Sequence, residues 1–184
     1  SEAMLDRVGA ILADAAIDAS VRVIVFAANG PAFCAGHDLK EMSAGRSNAD
    51  HGEAYFTDVL KRCSAFMQAI LQNPKPVIAE VAATATAAGC QLVASCDLAY
   101  SAQSARFSTP GVHIGLFCST PMVALSRNVG AKHAMEMLLT GEMIPAARAA
   151  EIGLVNAVVD DAELTGHVTA VANKIAGKSS VTLA

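Results

Sequence analysis

The spacing of apolar residues alternates along the chain between a helical and a strand-like pattern. Met4, Val8 and Leu12 recur at helical spacing, and residues 55–71 carry a longer apolar face with the same period. Residues 21–27 are instead short and β-branched, which is typical of a strand. The same reasoning predicts strands at 77–81, 98–101 and 154–159, and helices that begin near residues 90, 121, 131, 144 and 164. Strands that alternate with helices indicate an α/β fold in one domain.

Two segments between these elements have a distinct local character. Asp38 precedes a short apolar run and is predicted to cap a helix that extends through Met42. Residues 43–52 are polar and contain Gly45 and Gly52, so they are predicted to form a mobile loop.

The composition narrows the class of protein. A net charge of −4 over 184 residues argues against nucleic acid as a partner. No apolar run approaches the roughly 20 residues that a membrane-spanning helix needs, and no secretory signal is evident.

The five cysteines are odd in number and form no Cys-x-x-Cys pair, so they are expected to be free thiols in a reducing compartment. We expect the cytoplasm, and a removed organellar targeting segment is also compatible.

Small residues dominate two stretches, at 33–39 and at 84–92. In the second stretch they lead through Gly89 into an apolar helix, so a backbone N–H can approach a ligand at a positive helix end. Two such N–H groups that converge on one carbonyl oxygen form an oxyanion hole. The histidines have no metal-ligand spacing, and no Gly-rich dinucleotide or phosphate loop occurs, so neither metal, NAD nor ATP is implied.

Six blocks of sequence together resemble the crotonase family of enoyl-CoA hydratases and isomerases. They are Phe-Cys-Ala-Gly-His-Asp-Leu at 33–39, Lys-Pro-Val-Ile-Ala at 75–79, Ala-Gly-Cys-Gln-Leu at 88–92, Cys-Asp-Leu-Ala at 96–99, Met-Leu-Leu-Thr-Gly at 137–141 and Ala-Ala-Glu-Ile-Gly-Leu-Val at 149–155. The stretch at 115–121 is most similar to the subgroup of enoyl-CoA hydratase domain-containing proteins. The blocks cover nearly the whole chain in the order of the family.

The resemblance implies a crotonase-like spiral of ββα repeats with flanking helices. It implies that acyl-CoA or enoyl-CoA binds with its thioester oxygen between the N–H groups of His37 and Ala88. Coenzyme A then belongs to the substrate, and no separate cofactor is expected. The substrate-binding positions that match the family are Ala35, Gly36, Asp38, Leu39, Ala87, Gly89, Pro110 and His113.

Two positions depart from the family pattern. Hydratases of this family use two glutamates to activate water and to protonate C2, and these positions are Gln91 and Gly111 here. Neither residue can exchange a proton, and general acid–base help contributes about 10² to 10⁴-fold, so hydration is expected to be weak. His113 is a candidate replacement base, against the simpler interpretation of a surface histidine. Restoring both glutamates is expected to raise hydration unless neighbouring residues have filled the vacated space.

Three functions remain open at this point. The chain is an enzyme that stabilises a thioester enolate, a non-catalytic acyl-CoA-binding protein, or a hydrolase that uses the hole with water alone. The family also implies a homotrimer or a dimer of trimers. Residues 1–184 are interpreted as a single crotonase-fold domain without the N-terminal strands and most of the C-terminal helices of the family.

Overall fold

The strands of the computed structural model, which describes residues 1–183, form two four-stranded sheets. The first sheet is parallel and has the order β1 (Ile24–Ala27), β3 (Val77–Val81), β5 (Leu98–Ala102) and β8 (Ala157–Val159). The second has the order β2 (Ala32–Cys34), β4 (Thr84–Thr86), β6 (Arg106–Ser108) and β7 (Ile144–Pro145), with β7 antiparallel to β6. Successive strands from β1 to β6 therefore alternate between the two sheets.

Helices follow the strand pairs and complete a spiral of ββα turns. Helix α1 (Glu2–Ile17) precedes β1, α2 (Leu39–Arg46) and α3 (Glu53–Leu71) follow β2, and α4 (Ala88–Ser95) follows β4. A 3₁₀ helix (Pro110–Ile114), α5 (Ser119–Asn128) and α6 (Ala131–Thr140) follow β6; α7 (Ala146–Glu151), α8 (Leu164–Ala176) and α9 (Ser180–Leu183) complete the order. The α/β fold class and the ββα spiral are thus confirmed. Among residues 1–183, no helix has the length and apolarity to cross a membrane.

The core lies on both faces of the first sheet. All five residues of β3 are buried. Val77, Ala79 and Val81 face the larger core, whereas Ile78 joins a smaller cluster beneath α8. This division follows from the two-residue period of a strand, and burial on both faces is typical of a parallel sheet.

The prediction of a mobile loop at 43–52 is wrong for the first half of that segment. Residues 43–46 form the second half of α2, which extends beyond the predicted end at Met42. The predicted cap is confirmed, because the Asp38 carboxylate accepts hydrogen bonds from the N–H groups of Lys40 and Glu41. Gly45 packs so closely on the Tyr55 ring of α3 that an added Cβ would lie 2.2 Å from Tyr55 Cδ1. This tertiary contact holds the second turn of α2, and a local polar pattern cannot indicate it.

The second sheet contains most of the elements that the apolar pattern does not reveal. Its strands β2, β4 and β6 have three residues each, too few to show an alternation. The predicted helix start at 144 is instead strand β7, and the predicted strand at 154–159 begins only at Ala157. There, Leu154 N–H donates to Ala149 O over 2.8 Å, so the backbone turns before the strand starts.

Candidate active site

The carboxyl ends of β2 and β4 lie side by side and bring the two small-residue stretches together. The strands are parallel, with Cys34 opposite Ala85. Gly36 follows with φ +89°, and a Cβ added to it would lie 3.1 Å from Ala87 Cβ and 3.4 Å from Ala88 N. A side chain at position 36 would therefore occupy the narrow space in front of the Ala88 N–H.

Helix α4 begins under local backbone strain. Ala87 has φ 53° and ψ −120°, a conformation that is costly for a residue with a side chain. It is held there by its own N–H, which donates to Ser108 O over 3.0 Å, and by its carbonyl oxygen, which accepts from Gln91 N over 3.1 Å. Among residues 1–183, the backbone N–H of Ala88 donates to no protein acceptor. It is a free donor at the positive end of a helix.

Gly89 explains how strand β2 approaches this helix. A Cβ at position 89 would lie 1.9 Å from the carbonyl oxygen of Cys34, far inside van der Waals contact. Only glycine lets the end of β2 pack directly on the first turn of α4.

A cavity of about 410 Å³ opens in front of this junction. We call it the α1–α3 cavity, because those two helices line it with the apolar residues Met4, Leu5, Val8, Val59, Phe66 and Met67. Four candidate site residues line it: Gly36, His37, Asp38 and Ala88. Ala35, Ala87 and Gly89 flank the same junction without lining the cavity.

The two ionisable candidates in the wall have different environments. The His37 imidazole is half-buried, and burial lowers its pKa below the ordinary 6.5, so the ring is neutral at pH 7. The Asp38 carboxylate accepts from Lys40 N at 2.9 Å, and its backbone hydrogen bonds lower its pKa. Asp38 is therefore a charged helix cap, whereas His37 offers a nitrogen lone pair.

The two positions that match the family glutamates lie outside the wall of the α1–α3 cavity. The Gln91 side chain is 8% exposed, and its Oε1 accepts no hydrogen bond among residues 1–183. Gly111 is buried in the 3₁₀ helix, where a Cβ would lie 2.3 Å from Leu116 O and 2.7 Å from Cys118 Sγ. The turn at 115–118 thus fills the space into which a longer side chain at position 111 would extend.

The remaining candidates lie apart from the cavity. His113 is exposed, and its ring packs on Gly141, where an added Cβ would lie 2.9 Å from His113 Nε2. This packing at the end of α6 agrees with the surface interpretation of His113. Leu39 is exposed, and neither it nor Pro110 lines the cavity.

Sequence reasoning did not single out several wall residues as part of the site. Met42, Tyr55 and Cys63 all line the cavity. Tyr55 and Cys63 lie on the apolar face of α3, so the helical period contains a signal for them. That signal does not distinguish a cavity wall from a filled core. Within residues 1–183, no three histidine, cysteine or acidic side chains cluster as a metal site.

Comparison with known proteins places this geometry in a family. The enoyl-CoA hydratase/isomerase family model matches residues 1–184. A curated relative, the mitochondrial enoyl-CoA hydratase domain-containing protein 3 of Rattus norvegicus, is 46% identical over 179 residues, which is 97% of this chain and 58% of that protein. The Homo sapiens protein of the same name is 49% identical over 159 residues, covering 86% of this chain and 51% of the relative. The chain thus spans just over half the length of these relatives.

Solved structures agree with the sequence comparison. An enoyl-CoA hydratase from Mycobacterium smegmatis superposes with a TM-score of 0.93 at 51% identity, covering 100% of this chain and 69% of that one. Human enoyl-CoA hydratase domain-containing protein 3 gives a TM-score of 0.91 at 46% identity, covering 98% of this chain and 70% of that one. The chain belongs to the enoyl-CoA hydratase/isomerase, or crotonase, family.

Proposed function

We propose that this protein binds acyl-CoA or enoyl-CoA and stabilises negative charge on the thioester oxygen with the backbone N–H groups of His37 and Ala88. The observation that carries the proposal is the junction of β2 and β4. There, a free N–H at the start of α4 lies 3.4 Å from the Cβ position of Gly36, next to the His37 turn and in the wall of a largely apolar cavity. We call the two N–H groups the proposed oxyanion hole.

This arrangement suits chemistry at or beside a thioester carbonyl. Deprotonation at C2, or attack at C3 of an enoyl thioester, moves an electron pair onto the carbonyl oxygen as an enolate. Donors already held by the backbone need no reorganisation when that charge forms, and one donor contributes about 3 to 4 kcal/mol. The apolar walls from α1 and α3 fit an acyl chain. The substrate supplies the coenzyme A thioester, so the proposal includes no further cofactor.

Hydration itself is expected to be slow. The Gln91 amide does not act as an acid or a base near neutral pH and lies outside the wall of the cavity, and Gly111 is covered by the turn at 115–118. The same observations favour a second candidate, an acyl-CoA-binding protein without turnover. A third candidate, thioester hydrolysis by water at the proposed oxyanion hole, needs no glutamate pair.

Two measurements separate these functions. Calorimetric titration with butyryl-CoA, which cannot be hydrated, tests binding alone. Crotonyl-CoA incubation with readouts for loss of the conjugated thioester, for double-bond position and for free thiol then tests hydration, isomerisation and hydrolysis. Binding of butyryl-CoA with slow hydration is the expected result. No binding at millimolar butyryl-CoA overturns the proposal, and hydration in the ordinary range of about 1 to 10³ per second overturns the role of Gln91 and Gly111.

Assembly and compartment belong to the same proposal. We expect a homotrimer or a dimer of trimers, which sedimentation equilibrium measures directly. We expect a reducing compartment because five free thiols, Cys34, Cys63, Cys90, Cys96 and Cys118, occur in the described residues. The sequence favours the cytoplasm, whereas the names of the rat and human relatives place those proteins in mitochondria.

A further inference from the structure

Two thiols lie in the wall of the α1–α3 cavity, and the proposed function uses neither. Cys34 is the last residue of β2, and Cys63 projects from the inner face of α3. Cys34 is half-buried, whereas Cys63 is buried. Burial, and then the nearby Cys34, raise the pKa of Cys63, so Cys63 stays a protonated thiol. Cys34 is the more accessible sulfur of the two.

Cys34 lies close to the proposed oxyanion hole in two respects: its position along the chain and its packing. It precedes His37 by three residues. A Cβ added to Gly89 would lie 2.8 Å from the Cβ of Cys34 and 1.9 Å from its carbonyl oxygen. Cys34 therefore packs on the first turn of α4, directly after Ala88. Cys34 therefore lines the same cavity as His37 and Ala88.

A proton acceptor lines the same wall. The half-buried His37 imidazole is neutral at pH 7 because burial lowers its pKa. A neutral imidazole has one nitrogen that accepts a proton. The cavity thus combines a thiol, a base and a pair of backbone donors, which are the groups that conjugate addition to an unsaturated thioester requires.

We propose that Cys34 adds reversibly to C3 of an α,β-unsaturated acyl-CoA, so that the protein captures enoyl thioesters covalently. The proposal rests on the proposed function, since the substrate must first bind with its carbonyl oxygen in the oxyanion hole. The Sγ–C3 bond forms while the C2=C3 π bond breaks, and its electron pair moves to the thioester oxygen as an enolate. The thiol proton passes to the His37 imidazole and then to C2. No group leaves, and no oxidant or reductant is consumed.

This chemistry selects one class of ligand. A saturated acyl thioester has no electrophilic C3, so it binds without forming the adduct. Acyl transfer to the thiol would instead break the C1–S bond and release coenzyme A. The two outcomes differ in mass, because conjugate addition retains the whole acyl-CoA whereas acyl transfer retains only the acyl group.

Cys118 provides a matched control, because it is buried and does not line the cavity. Cys118→Ala should therefore keep the adduct. Cys34→Ala and the near-isosteric Cys34→Ser should lose it, and circular dichroism verifies that each variant is folded. His37→Gln keeps the backbone donor and removes the base, and it should slow adduct formation about tenfold or more.

The test is intact-mass measurement after incubation with crotonyl-CoA or butyryl-CoA and an acid quench, followed by peptide mapping. The expected result is a gain of one whole crotonyl-CoA on the peptide that contains Cys34, and no gain with butyryl-CoA. A gain of the acyl group alone, or an adduct that persists in both Cys34 variants, overturns the inference. If butyryl-CoA binds by calorimetry and crotonyl-CoA leaves no adduct, the inference fails while the proposed function stands. If butyryl-CoA does not bind, the proposed function fails first.

Discussion

The N–H of Leu116 donates to the carbonyl oxygen of Gly111 over 2.9 Å, and the carbonyl oxygen of Leu116 lies 2.3 Å from the point where a Cβ of residue 111 would lie. The obstacle is backbone, which cannot move aside as the end of a flexible side chain can. Gly111 is not among the residues with positive φ in the part of the chain described, so the constraint is packing and not backbone strain. A longer side chain at position 111 therefore has no free space to occupy.

We therefore expect Gly111→Ala to lower the free energy of unfolding by about 1 to 3 kcal/mol, and Gly111→Glu by more. Chemical denaturation measures both. Gly166→Ala is the matched control, because Gly166 lies within α8 with nothing inside 4 Å of its Cβ position, and it should gain stability.

The double change Gln91→Glu with Gly111→Glu should hydrate crotonyl-CoA no faster than Gln91→Glu alone. A stable double variant with faster hydration would contradict the filled-space interpretation.

Gly89→Ala should be the more damaging glycine substitution. The new Cβ would lie 1.9 Å from Cys34 O, so either β2 or α4 must move. We expect a loss of at least about 3 kcal/mol of unfolding free energy, at the upper end for overpacking. Gly9→Ala in α1 is the control, since its nearest neighbour is Phe66 Cδ2 at 3.9 Å, an ordinary contact. Equal stabilities of the two variants would show that the β2–α4 contact is less tight than the structure indicates.

Ala88→Pro should weaken acyl-CoA binding by more than tenfold. The substitution deletes one donor of the proposed oxyanion hole and adds no polar group. Ala88 is the first residue of α4, a position where proline is tolerated in helices, although Ala87 must adapt its unusual backbone. Ala131→Pro, at the first residue of α6, is the control for proline in the same helical position. Both are measured by calorimetric titration with butyryl-CoA on variants with native circular dichroism; unchanged affinity in Ala88→Pro rejects this donor.

The His37 imidazole should titrate below pH 6.5, because burial disfavours its charged form. The unfolded chain then binds a proton at higher pH than the folded protein does. The free energy of unfolding should therefore fall as the pH drops below about 6.5 and on through the folded pKa. NMR titration of the His37 ring gives the midpoint, and denaturation at pH 7.5 and 5.5 gives the stability change. His37→Gln should show a smaller change between these two values; a midpoint at or above 6.5 would refute the prediction.

Residues 47–52 should exchange amide hydrogens much faster than Val77–Val81. Their backbone hydrogen bonds are local, such as His51 N to Asn48 O at 2.9 Å and Asn48 N to Gly45 O at 3.2 Å. Such bonds at the surface open without disturbing the core, whereas every residue of Val77–Val81 is buried in the centre of a sheet. Hydrogen exchange without ligand tests this, with α2 expected to be intermediate. Equal protection of the two segments would mean that 47–52 belongs to the stable core.

The apolar pattern alone determined the larger elements. The periods of 55–71 and 77–81 correspond closely to α3 (Glu53–Leu71) and β3 (Val77–Val81), because long amphipathic or fully buried segments have a repeating signal. Asp38 also acts as predicted, since a helix cap is local chemistry. The small-residue stretches and the family blocks indicated which backbone N–H groups are candidates to bind a carbonyl oxygen.

Tertiary structure decided what no local pattern contains. The three-residue strands β2 and β4 place Gly36 against Ala87 and Ala88, which lie about fifty positions later in the sequence. Likewise, the turn at 115–118 closes over Gly111, the ring of His113 packs on Gly141 away from the cavity, and Cys34 and Cys63 line one cavity although they belong to different elements. Sequence specifies the chemistry of each residue, but close approach between distant segments depends on the packing of whole elements, where a single missing Cβ determines whether two backbones can touch.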